Sequence, residues 1–92
     1  MKYLVNGSLK QAIHELLASG NDQNLMEFLH ELQPFDIATL LPEFEEPEQL
    51  KILSLTEPEI AAESLEHLNH DDQYRLLDHL PEHIARDILA RM

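Results

Sequence analysis

The feature that most constrains this chain is a short phrase that returns about every two dozen residues. Leu32-Gln33-Pro34-Phe35-Asp36-Ile37-Ala38 recurs as Leu55-Thr56-Glu57-Pro58-Glu59-Ile60-Ala61 and again as Leu80-Pro81-Glu82-His83-Ile84-Ala85. A second phrase alternates with it: Glu46-Pro47-Glu48-Gln49-Leu50-Lys51-Ile52-Leu53, echoed by Asp71-Asp72-Gln73-Tyr74-Arg75-Leu76-Leu77. Such a period holds two short helices and their turns, so an all-α superhelix of stacked helical hairpins is expected, of either hand, with a repeat of roughly 24 residues. Architectures of this kind present a shaped surface and rarely build a reaction centre.

Local signals divide the chain into about seven helices. Ser8 reads as an N-cap ahead of Leu9, Ala12, Ile13, Leu16 and Leu17, and Gly20 as the residue that ends that helix. Asn21 or Asp22 caps a second helix with Leu25, Phe28, Leu29 and Leu32 on its apolar side. Pro34 opens a third, with Ile37, Leu40 and Leu41 inward, and Pro42 stops it because proline lacks the N–H for Ala38 and clashes with its carbonyl. Pro47 opens a fourth carrying Leu50, Ile52 and Leu53. Thr56 is expected to cap a fifth, with Ile60, Ala61, Ser64, Leu65 and Leu68 on one side, and Asn69 a sixth with Tyr74, Leu77 and Leu80 inward.

Pro81 opens a seventh, whose stripe of Ile84, Ala85, Ile88, Leu89 and Met92 copies that of the fifth at an offset of 24. The copy beginning at Ile37 slips by one against this register, and Pro42 stands where a leucine is expected. The stripe is still running at Met92, so a further helix or a second copy is expected to cover it, with the domain, residues 1–92, truncated at its C-terminal end.

Composition narrows function. A chain of 92 residues makes one domain with a modest core. The absence of Cys excludes disulfides, thiolate metal sites and cysteine nucleophiles. No apolar run approaches the roughly 20 residues of a membrane span, and no signal-peptide pattern opens the chain, so a cytoplasmic setting is expected. With 18 Asp and Glu against six Lys and Arg, the net charge is −12. That speaks against nucleic acid and against direct adsorption to anionic lipid. Part of the acidity is structural, because Glu46, Glu48, Glu57, Glu59, Asp71, Asp72 and Glu82 fall in first turns, at the positive ends of helix dipoles.

No enzyme is expected. The serines lack a glycine-flanked elbow, and no phosphate loop exists. The pairs His67/His70 and His79/His83 straddle helix breaks, which is poor geometry for zinc. Hard divalent cations are the remaining chemistry, since Mg²⁺ keeps several waters and takes one or two carboxylates. Glu63 and Asp87 occupy the same slot, three residues after the Ile of Ile-Ala, and are the candidate metal contacts; each is also an ordinary exposed helix position.

Taken together, Leu32-x-Pro34-x-Asp36-Ile37-Ala38-x-Leu40-Leu41, Ile60-Ala61-Ala62-Glu63-x-Leu65-x-x-Leu68 and Asp71-Asp72-Gln73-x-x-Leu76-Leu77-x-x-Leu80-Pro81 resemble the cytosolic N-terminal domain of MgtE-type magnesium transporters. The flagellar rotor protein FliG carries a related module, whose first phrase typically reads Glu-His-Pro-Gln; Leu32 to Asp36 is nearer the transporter form. The resemblance implies a regulatory arm ahead of CBS domains and a dimeric membrane pore. In that family Mg²⁺ settles between the acidic arm and the CBS domains and favours the closed pore. The metal-contacting glutamate of the Ala-Ala-Glu segment maps onto Glu63, while Asp87 follows only by internal symmetry. The family's other ligands in this domain lie on a helix beyond Met92, so Mg²⁺ binding here is expected to be weak. The rival expectation is a FliG-like scaffold without ion dependence. Expected partners are thus the CBS domains and pore of the same transporter, with a homodimer possible.

Overall fold

A computed structural model of the chain describes residues 8–92, and the cap expected of the Ser8 side chain lies outside what is described. Among the described residues seven α-helices follow one another: α1 Ser8–Ser19, α2 Asp22–Leu29, α3 Pro34–Leu40, α4 Glu46–Leu55, α5 Pro58–Glu66, α6 His70–His79 and α7 Glu82–Leu89. A single 3₁₀ turn, Leu41–Glu43, separates α3 from α4. No strand occurs among the described residues. Helices α2, α4 and α6 begin at residues 22, 46 and 70, and α3, α5 and α7 at 34, 58 and 82. The even helices pack on one another in order, α2 on α4 on α6, with α1 on α2; the odd ones do the same, α3 on α5 on α7.

Local chemistry sets the ends. Gly20 turns the chain at φ +73°, a left-handed conformation open to glycine. The Asn21 side chain then accepts the Asn24 N–H at 3.1 Å, and Asn69 accepts the Asp72 N–H at 2.8 Å. Gln33/Asp36 and Glu45/Glu48 close reciprocal capping boxes on α3 and α4. Pro42 ends α3 by turning it into the 3₁₀ segment. Thr56 does not cap α5. It is buried, and its hydroxyl donates back to the Ile52 carbonyl at 2.7 Å, closing the end of α4, while Glu57 takes the N-cap position. The threonine was within reach of two helix ends and the buried carbonyl won.

One core joins the layers, built on Ile13, Leu25, Leu29, Ile37, Leu41, Ile52, Leu53, Leu65, Leu76 and Ile88. Helices of seven to twelve residues are too short to persist alone, so this packing supplies their stability. The face of α5 is central: Ala61, Ala62, Ser64 and Leu65 are all buried, with α3 on one side and α7 on the other. Three small residues there let its neighbours approach closely, and the Ser64 hydroxyl is satisfied by the Ile60 carbonyl at 2.7 Å.

Three expectations about the apolar stripes need correction. Tyr74 is 67% exposed, and Leu76 takes the inward place on α6. The packing of α6 on α4 sets its phase, which turns Leu76 and Leu80 to the core and Tyr74 away. On α7, Leu89 is 54% exposed although its counterpart Leu65 is fully buried, and Met92 is exposed as well. Helix α5 is covered from both sides, whereas α7 has only α5 beside it in the odd row of the described residues. Finally, the slip at Ile37 is one of side chains and not of backbone. Because α3 starts in step with α5 and α7, Ile37 falls in the slot of Ala61 and Ala85, and all three are buried. Leu41 then matches Leu65, so no leucine is missing at Pro42.

Leu65→Ala should cost about 2–5 kcal/mol of unfolding free energy, most of the stability of so small a domain, read by urea denaturation. Asn69→Ala should cost about 1 kcal/mol in the same measurement.

Candidate functional site

Glu63 projects from the middle of α5. Its neighbours Ala62 and Ser64 are both buried, and helical geometry therefore sends the intervening side chain to solvent, where it is found. Glu59, one turn before it, and Glu66, one turn after, are exposed too, so the outer side of α5 is an acidic face. Asp87 is exposed on α7, next to buried Ile88. Neither Glu63 nor Asp87 takes part in an ion pair among the described residues. The two differ in surroundings, however. The Arg91 guanidinium donates to the Asp87 backbone carbonyl at 2.9 Å, which sets a cation beside that residue. Glu63 is therefore the less compensated of the two carboxylates.

The cations of the described chain are engaged elsewhere, mainly on the even layer. Lys10 of α1 meets Glu43 at 3.2 Å, Lys51 of α4 meets Asp22 of α2 at 2.9 Å, and Arg86 pairs with Glu82 within α7. The densest cluster is one that the sequence reading missed. Arg75 of α6 donates to Glu46 of α4 at 2.6 Å and pairs with Asp72 at 3.3 Å, while His79 Nδ1 lies 2.9 Å from the other Glu46 oxygen. Buried Gln49 extends it inward, donating to the Leu41 carbonyl at 2.7 Å and accepting from Arg75 at 3.5 Å. Nothing local in the sequence couples residues 46, 49, 75 and 79; only the packing of α6 on α4 does. The hydrogen bond from Arg75 holds the Glu46 carboxyl below its usual range; partial burial opposes this, and His79 adds to the lowering.

Among the described residues no three His, Asp or Glu side chains converge as a metal cage. The other histidines have other neighbours: His67 meets the Phe35 ring edge-on at 5.6 Å between centroids, and His70 lies near Tyr74. An exposed carboxylate such as Glu63 offers a hard oxygen donor of the type a hydrated Mg²⁺ accepts. No described helix is long and apolar enough to cross a membrane.

The described residues thus form an all-helical domain with an acidic outer face on α5 and most of their cations drawn into internal pairs. The family comparison makes that specific: the model of the MgtE intracellular N domain matches residues 10–92, and the chain belongs to that family, a domain of magnesium transporters. A search of curated proteins and one of solved structures found no match.

The lowered Glu46 value has a definite sign in pH. Its ion pair stabilises the fold fully above the ordinary glutamate value of 4.5, and that stabilisation is lost as pH falls through the lower folded-state value. Glu46→Gln should therefore be less stable than the parent at pH 7, with the difference narrowing as pH is lowered below 4.5, as measured by urea unfolding across that range.

Proposed function

We propose that this domain is a non-enzymatic regulatory arm of a magnesium transporter, which senses Mg²⁺ by docking its acidic surface onto CBS domains and so favours the closed pore. The carrying observation is the exposed acidic face around Glu63, in a family member of net charge −12 whose described cations are mostly paired internally. Two carboxylates brought to about 5 Å across such a surface, at an effective dielectric of about 20, repel by about 3 kcal/mol. A divalent ion between them reverses that sign. Ions that bind only the docked arrangement shift the population toward it, and their loss lets the arm swing away.

In this reading Glu63 contributes one ligand and Asp87 a secondary anionic contact, with water and the CBS surface completing the ion's coordination. The domain alone should then bind Mg²⁺ only in the millimolar range. At a concentration equal to Kd, linkage gives about 0.4 kcal/mol, or roughly 2–3 °C in melting temperature. Melts in MgCl₂ against NaCl at matched ionic strength should show that increment, and Glu63→Gln should abolish it. Saturable micromolar uptake in isothermal titration, or an increment unchanged in Glu63→Gln, would contradict the proposal.

A further inference from the structure

The repeat sets a second residue beside each candidate carboxylate, and the two copies differ there. Glu63 of α5 and Asp87 of α7 occupy one slot, at the offset of 24. Four residues further on, His67 and Arg91 again share a slot. Side chains four apart on a helical turn are surface neighbours, roughly 5–6 Å apart at Cβ. All four residues are exposed, so none is committed to the core.

Arg91 folds back along α7. Its guanidinium donates to the Asp87 carbonyl at 2.9 Å, which fixes a permanent positive charge beside the Asp87 side chain. Arg86 pairs with Glu82 at 3.2 Å, so each acid of α7 is followed four residues on by an arginine. His67 behaves differently. Its ring meets Phe35 of α3 edge-on, at 5.6 Å between centroids and 84° between planes. The histidines that face carboxylates among the described residues are His14, His30 and His79, and His67 is not one of them.

A fixed cation at such range repels a divalent ion. Arginine is charged at every accessible pH, whereas histidine is not. The residue four places after the carboxylate therefore decides which copy of the repeat is open to a metal ion.

We infer that Arg91 holds Asp87 to its secondary role by keeping Mg²⁺ from direct contact with it, while His67 in the same slot of α5 leaves Glu63 open. This rests on the Mg²⁺ reading above and adds the residue that selects between two equivalent carboxylates.

The test follows amide shifts in ¹⁵N spectra as MgCl₂ is added to the whole chain, freed of metal with EDTA, against NaCl at matched ionic strength. The pH is 8, above the ordinary histidine value of about 6.5. In the parent the shifts should centre on Glu63. Arg91→Gln should bring Asp87 into the response, with an apparent affinity there at least threefold above the parent's; Arg91→Lys, which keeps the charge, should not. His67→Arg should weaken the Glu63 response at least threefold, and His67→Gln, which loses the ring contact but adds no charge, should leave it unchanged. These are exposed positions, so all four variants should keep the parent's melting temperature in NaCl. An Asp87 response unchanged by Arg91→Gln, the same gain in Arg91→Lys, or equal weakening by His67→Gln and His67→Arg would overturn the inference and leave the regulatory reading intact. Absence of any Glu63 response in the parent would count against that reading, and the inference would fall with it.

Discussion

Burial of the Ala61, Ala62, Ser64 and Leu65 face between α3 and α7 is the constraint on which the rest of this domain depends. It joins the odd row of helices, and through Leu65 it anchors that row in the common core. Because residues on both sides of Glu63 must point inward, the glutamate cannot. Packing, and not any ligand, sets the outward direction of the carboxylate that the functional reading needs. The small side chains also explain how helices of nine or fewer residues hold together here: close approach replaces the length they lack.

Electrostatics divides the molecule in a complementary way. The even layer is laced by ion pairs from α1, α4 and α6, each worth little singly at such exposure. Their larger consequence is what they leave behind. With most described cations committed there, the outer face of α5 retains Glu59, Glu63 and Glu66 without compensation. An acidic surface of this sort is poorly disposed to approach another acidic surface unless cations intervene. Capping and uncommitted carboxylates are thus separable: first-turn residues such as Glu48 and Asp36 serve caps, whereas Glu63 serves none.

Much of the fold was legible in the sequence wherever a short-range rule decides. The Gly20 stop, the Asn21 and Asn69 caps, the proline starts and the 3₁₀ turn at Pro42 each follow from chemistry within four residues. Of the site, Glu63 was legible as a helix position facing away from a stripe. The cluster of Glu46, Gln49, Arg75 and His79 was not, since it is assembled from residues far apart in the chain. Tyr74 misled for a related reason: it is apolar enough for a core, and only the phase of α6 against α4 sends it out.

The sequence by itself therefore determined the helical class, the number of helices among the described residues, most of their ends, and the acidity of the surface, because periodicity, capping and charge are local or additive properties. The tertiary structure decided which members of each stripe are covered, as Leu65 is and Leu89 is not, though their local sequences match. It also decided which charges are paired and which stay free. Burial and pairing are relations between helices, and a helix carries no record of how many neighbours it will have.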